Sequence, residues 1–209
     1  KKGSDYSRLG EFSNIFVGTS TNSDDVFILK NASIKGDFLV AFSKSENNKL
    51  KIEKDICVPF IRGKDLSRYL IKESSTVVIF PYEQRPDGNL FSRKQMKREY
   101  PLAWKYLNRH RSTLEGRENG KWRGEDDWYC HAYPRNHGQI RKKKLLSPDI
   151  NNHCQWVIDS EGKYHCLNTV YGVSEIADSY SLGYAHSVLN SSIFESFIRS
   201  HSVPLRGGY

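Results

Sequence analysis

Cys57-Val58-Pro59-Phe60-Ile61-Arg62-Gly63-Lys64-Asp65-Leu66-Ser67-Arg68-Tyr69 places a strand signal directly before a turn signal. Cys57 to Ile61 is a short apolar run with β-branched and aromatic residues, the pattern of a buried strand. Gly63-Lys64-Asp65 breaks it with residues that favour turns. The same alternation runs through the neighbouring sequence. Phe12 to Val17, Asp25 to Leu29, Phe38 to Phe42 and Thr76 to Phe80 read as strands, and Gly18-Thr19-Ser20-Thr21-Asn22 and Ser43 to Asn48 read as polar breaks.

A helical section follows. Ser92 and Gln95 have the spacing of a capping box, in which each side chain satisfies an orphan backbone N–H. Tyr100, Ala103, Leu107 and Leu114 then recur at helical intervals as one apolar stripe, while Lys105 and Arg109 share another face. Pro101 predicts a kink or restart, and Gly116 a stop. Gly116 to Gly138 reads as a loop rich in Gly, Trp and Arg. Strands resume at Lys144 to Ser147, Gln155 to Ile158, Tyr164 to Leu167 and Thr169 to Val173, with Ser160-Glu161-Gly162-Lys163 as a hairpin turn. Leu182, His186, Leu189, Ile193 and Phe197 predict one closing helix. The expected class is α+β: mixed, twisted sheets with a central and a C-terminal helix.

The 209 residues fit a single domain, and 37% hydrophobic content is enough for a real core. No apolar run approaches the roughly 18 residues of a membrane span, and no signal peptide is evident. The opening Lys1-Lys2-Gly3, without an initiator Met, reads as part of a longer protein. The four cysteines form no C-x-x-C pair, which argues against a zinc ribbon or a disulfide framework and makes a reducing cytoplasm the expected location.

The net charge of +8 is concentrated in one region. Arg85 to Lys144 holds 16 Lys and Arg against 7 Asp and Glu, and the rest of the chain is near balance. Such a basic helical and loop insert, about 85–144, is the electrostatic footprint of a polyanion partner.

Several stretches, in order, resemble one family. Phe12-Ser13-Asn14-Ile15-Phe16-Val17-Gly18-Thr19-Ser20-Thr21 with Asp25-Val26-Phe27-Ile28, then Pro59 to Tyr69, Val78-Ile79-Phe80-Pro81-Tyr82, Tyr100-Pro101 through Leu107, Leu114-Glu115-Gly116-Arg117, Trp128-Tyr129, Lys144 to Ile150, Ile158-Asp159, Gly162-Lys163-Tyr164 and Val188-Leu189-Asn190-Ser191 are similar to the TaqI-like C-terminal specificity domain of adenine-N6 DNA methyltransferases. That group includes the fused restriction–modification enzymes often called type IIG. Leu205-Arg206-Gly207-Gly208-Tyr209 looks like the start of a further family segment. The resemblance implies a target-recognition domain that reads double-stranded DNA. A partner methyltransferase domain of the same chain would bind S-adenosylmethionine and flip out the adenine, with Mg²⁺ needed where the parent also cleaves. This chain has no Asn-Pro-Pro-Tyr run, no adjacent prolines and no glycine-rich cofactor loop after a strand. Alone it is expected to transfer no methyl group.

Phosphate contacts fix register, and base-edge contacts specify sequence. Arg141-Lys142-Lys143-Lys144 are candidates for phosphates, or guard an edge strand. Arg62 and Lys64 suit guanine O6 and N7, while Asp65 reads as a cap that Arg68 pairs with. Thr19, Ser20, Thr21 and Asn22 offer hydroxyls and an amide on a loop. Trp122, Trp128, Tyr129 and Tyr133, interleaved with Arg117, Arg123 and Arg135, suit base stacking or a core.

Other functions have weaker signals. Asp149, Glu161 and Lys163 formally match the P-D…E-x-K pattern of Mg²⁺-dependent nucleases, although Glu161 and Lys163 fall in a turn. Cys130-His131, His137, His153-Cys154 and His165-Cys166 offer zinc-ligand types without a usable close pair, so buried cysteines and surface histidines are expected. A basic module for RNA or a protein partner also fits the charge alone.

Overall fold

The computed structural model describes residues 7–85 and 88–203. The opening Lys1-Lys2-Gly3 and the closing segment 205–209 lie outside the described residues. The strands are β1 Asn14–Val17, β2 Ile28–Lys35, β3 Phe38–Ser43, β4 Asn48–Glu53, β5 Cys57–Ile61, β6 Leu66–Ser67, β7 Leu70–Ile71, β8 Val77–Ile79, β9 Lys144–Pro148, β10 Val157–Asp159, β11 His165–Cys166 and β12 Val170–Ser174. The helices are α1 Asp24–Phe27, α2 Arg93–Glu99, α3 Pro101–Arg109, α4 Arg111–Glu115, α5 Arg117–Gly120, α6 His137–Ile140, α7 Leu182–Leu189 and α8 Ser192–His201. The α+β class holds.

The chain divides into two compact units that interleave in sequence. One gathers the stretch up to Gly18, Arg62–Glu73 and everything from Gln139 onward; the other is Thr19–Ile61 with Ser74–Gly138. The basic segment therefore belongs mostly to the second unit, and its last six residues, Gln139 to Lys144, fall in the first.

In the first unit the sheet order is β1-β12-β9-β10, antiparallel throughout. Phe16 pairs in register with Gly172. Its ring occupies the space a side chain would need, since a Cβ on Gly172 would lie 2.2 Å from the ring. Leu145 and Val173 form a core with Ala185 and Leu189 of α7. The single closing helix expected from the sequence is instead two, because Asn190 ends α7 and Ser191 caps α8 by accepting from Phe194 N. Asn190 is tied to the backbone N and O of Trp156, which fixes the break. The restart changes the helical phase, so Ile193 and Phe197, expected on the buried stripe, are exposed.

Lys144 opens β9 opposite Asp159 and is fully buried. Every position of β9 is buried, so neither face of the strand offers Lys144 a route to water. Its ammonium donates to Asp159 at 2.5 Å and also to the Ile140 carbonyl. Desolvation lowers the Lys144 pKa against the pull of Asp159. Asp159 also accepts from the backbone N–H groups of Lys163 and Tyr164, so it organises the turn at Ser160–Lys163. That turn makes no hairpin between β10 and β11, because β10 pairs back onto β9.

In the second unit the order is β5-β8-β2-β3-β4, again antiparallel. The strand expected over Asp25–Leu29 starts only at Ile28. Thr21 donates to Asp24, and the polar stretch winds into the single turn α1 instead. Strand β4 is the partner the sequence hid: Asn48-Lys49-Leu50-Lys51-Ile52-Glu53 is mostly charged and polar, and only Ile52 is buried. Ser92 and Gln95 form the expected capping box, and the chain restarts at Pro101 as α3. The Glu53 carboxylate accepts from Leu102 N and Ala103 N, fastening the start of α3. The Tyr106 hydroxyl donates to the Val26 carbonyl at 2.8 Å, with Ser43 and Ser45 also in hydrogen-bond range.

Removing one partner of a buried ion pair leaves the other uncompensated. Lys144→Ala is expected to lower stability by about 3 kcal/mol or more. The double replacement Lys144→Met with Asp159→Leu should recover part of that loss in denaturant melts. Equal stability of Lys144→Ala and the parent chain would contradict this role.

Candidate nucleic-acid interface

The loop Gly116 to Gly138 is organised around Arg117, which is 6% exposed. Its guanidinium donates to the carbonyls of Leu114, Thr21, Cys130 and Trp128, all at 2.8 to 2.9 Å. It also lies 4.6 Å from the centre of the Trp122 ring. A buried cation without a carboxylate partner is tolerable only when hydrogen bonds satisfy its donors. Burial lowers the Arg117 pKa, while its hydrogen bonds favour the charged form. One side chain thus ties together the loop near Thr21, the end of α4 and the turn Trp128 to Cys130.

This arrangement changes the reading of the aromatics. Trp122, Trp128 and Tyr129 are buried core residues, so they are no platform for bases. Tyr133 is half-buried, bridges to Ser20 through paired backbone hydrogen bonds, and has the Arg135 guanidinium 4.9 Å from its ring centre. Thr19 and Thr21 are also buried. Thr19 donates to the Tyr133 carbonyl and Thr21 to Asp24, so both shape the loop from within. Asn22 is exposed, with φ of 49°, and Ser20 donates to its amide oxygen. The exposed rim of this cluster carries Asn22, Glu118, Asn119, Lys121, Arg123 and Arg135.

Four of these rim or flanking positions have left-handed backbone: Asn22, Glu118, Asn119 and Asn136. Such conformations cost about 1–3 kcal/mol each for residues other than glycine and persist where surrounding structure over-determines them. The segment labelled α5 contains two of them and is a tight loop rather than a regular helix.

In the first unit, Asp65 caps its turn by accepting from Arg62 N at 2.9 Å. Arg68 does not pair with Asp65. It donates to the Cys154 and Asn190 carbonyls and to Glu195. Arg62 is half-buried with its Nε unpartnered, and Lys64 is exposed; both line an open depression with Asn151 and Asn152. Of the four consecutive cations, Lys144 is internal and unavailable to a phosphate. Lys142 pairs with Glu175, and Arg141 and Lys143 are exposed.

Several cations of the basic segment are held in surface ion pairs: Arg93 with Asp126, Arg98 with Glu99, Arg109 with Glu46 and Arg111 with Glu115. Exposed pairs are worth about 0–1 kcal/mol each and release readily. Lys94, Lys105, Lys121, Arg123, Arg135 and Lys143 are exposed and make no ion pair among the described residues.

The histidines are not all at the surface. His131 and His165 are buried. His131 Nε2 donates to the Ile79 carbonyl, which leaves Nδ1 facing the Thr19 hydroxyl. All four cysteines are buried and unpaired. No group of three or more His, Cys, Asp or Glu side chains is placed to hold a metal among the described residues. Glu161 and Lys163 flank Gly162 in its turn, with the Lys163 ammonium 5.1 Å from the centre of the Tyr164 ring. No described helix is long and apolar enough to cross a membrane.

The family model described as the TaqI-like C-terminal specificity domain matches residues 58–209. Among solved structures, the chain is similar to the Type IIL restriction–modification enzyme MmeI in complex with DNA, with a TM-score of 0.61 and 12% identity. That match covers 100% of this chain and 25% of the MmeI chain, so the sequence spans about a quarter of that protein's length. At this identity the likeness concerns the fold. No curated protein sequence matches.

Arg117→Ala is expected to lower stability by about 3 kcal/mol, because four carbonyls lose their donor. Arg117→Lys should recover little, since three donors on a point charge cannot replace the planar fork. Denaturant melts of the two variants check this. Burial also holds His131 neutral, with its pKa down at about 3. The unfolded chain binds the proton first, so stability is full above about pH 6.5 and falls by up to ~1.4 kcal/mol per unit as pH drops towards 3. Burial lowers the His137 pKa to about 4 as well, so a thermal-melt series from pH 7.5 to 4 should show both contributions, and His131→Gln should make the slope shallower without abolishing it.

Proposed function

Since the chain belongs to the family of TaqI-like C-terminal specificity domains, we propose that it reads the sequence of double-stranded DNA on behalf of a restriction–modification enzyme. The observation that carries this reading is the Arg117-tied loop cluster. It presents an amide, a carboxylate and exposed cations on strained, over-determined backbone. A DNA-reading surface needs this combination: cations for phosphates, and fixed polar groups for base edges.

Within this reading, Lys121, Arg123 and Lys143 meet phosphates. Arg135, held over Tyr133, suits a guanine edge, and Arg62 and Lys64 form a further candidate contact. We place the methyl-transfer chemistry, at adenine N6 with S-adenosylmethionine, in a separate domain of the parent protein, together with any Mg²⁺-dependent cleavage. Cofactor crevices of the doubly wound kind form at switch points of parallel sheets, whereas the β1-β12-β9-β10 and β5-β8-β2-β3-β4 pairings are antiparallel. A cytoplasmic location belongs to the same proposal and suits four buried thiols.

Binding of the 209-residue chain to duplex DNA across a salt series tests the reading, with single-stranded DNA and RNA as competitors. The logarithm of affinity should fall linearly with the logarithm of salt concentration, with a slope of about −0.9 per phosphate contact. Lys143→Ala should reduce the slope by about one contact and weaken all sequences alike. Arg135→Ala should cost about 1–3 kcal/mol on the preferred duplex and relax one position. Preference for RNA, or no duplex binding at low salt, would overturn it.

A further inference from the structure

Glu118 is an anion within the most basic part of the chain, and the fold goes to some trouble to hold it there. Its backbone lies at φ 50°, ψ 50°, followed by Asn119 at φ 60° and Gly120 at φ 87°. One carboxylate oxygen accepts from the Asn22 amide nitrogen, and the other from the Tyr133 hydroxyl at 2.7 Å. The Asn22 amide is oriented in turn, because Ser20 donates to its oxygen at 2.6 Å. No ion pair joins Glu118 to a cation among the described residues, and the side chain is exposed. Three hydrogen bonds therefore aim an un-neutralised carboxylate outward from the Ser20–Asn22 loop. The same contact raises the pKa of Tyr133, which keeps its phenol protonated as a donor.

A carboxylate repels phosphate, so at a DNA surface it cannot act as a backbone contact. It accepts hydrogen bonds only. In the major groove, cytosine offers a lone N4 amine donor. Adenine sets an acceptor, N7, beside its amine, while guanine offers two acceptors and thymine an acceptor and a methyl group. Each Glu118 oxygen already holds one protein donor and retains capacity for a further one. The side chain therefore favours cytosine and opposes guanine most strongly.

We propose that Glu118 is a specificity-determining residue whose carboxylate, positioned by Asn22 and Tyr133, accepts the N4 amine of a cytosine in the recognised duplex and excludes guanine there. This rests on the DNA-reading function proposed above. Asn22 then becomes a positioning residue rather than a base reader.

The test is selection of the 209-residue chain and its variants on a randomised duplex library. Titrations follow on duplexes carrying each base pair at each selected position, with circular dichroism to confirm folding. The parent chain should require cytosine at one position by about 10-fold or more over guanine. Glu118→Gln should erase that preference while leaving the other positions intact. Glu118→Lys should invert it towards guanine, and Asn22→Ala should weaken it at the same position alone. Unchanged preference in the Glu118 variants, or uniform loss at every position, would overturn the proposal while leaving the DNA-reading function standing. A parent chain that selects no duplex sequence would overturn both.

Discussion

The loops of the second unit depend on one buried guanidinium. Arg117 sits where loops of the second unit converge and supplies hydrogen bonds to four backbone carbonyls. Loops buried in this way would otherwise carry unsatisfied polar groups, each costing about 1–3 kcal/mol. With Arg117 in place, the chain can leave regular secondary structure and still be fixed. That is what lets Asn22, Glu118 and Asn119 adopt left-handed backbone at defined positions. The cost of burying the charge is offset locally, and the gain is a rigid exposed rim.

The rim divides labour by burial. Thr19, Thr21, Trp122, Trp128 and Tyr129 face inward and set the loop shape, while Asn22, Glu118, Arg123 and Arg135 face outward. Preorganised polar groups lose little entropy on binding, which is how a small surface can discriminate among bases. Arg93, Arg98, Arg109 and Arg111 are held in exposed pairs that a polyanion can displace.

Much of the fold was legible in the sequence. Cys57 to Ile61 is a strand with the bounds expected, and the Ser92–Gln95 box and the Pro101 restart are where local chemistry puts them. Local signals failed where tertiary context decided. Strand β4 carries too many charged residues to show its alternation, and Asn48 to Glu53 becomes a strand by pairing with β3. Lys144 reads as the last of four surface cations, yet it opens a strand buried on both faces and pairs there with Asp159. The site was visible as a charge excess, but its members were not separable. Nothing in the spacing distinguishes Thr19 from Ser20, or marks Glu118 as a residue held by Asn22 about a hundred positions away.

Hydrogen exchange of the backbone amides, with and without a random-sequence duplex at low salt, tests the central claim most directly. We expect slowed exchange in residues 19–22, 117–123 and 131–136, relieved when salt is raised. Unchanged exchange in those loops, with protection confined to other parts of the chain, would contradict the account.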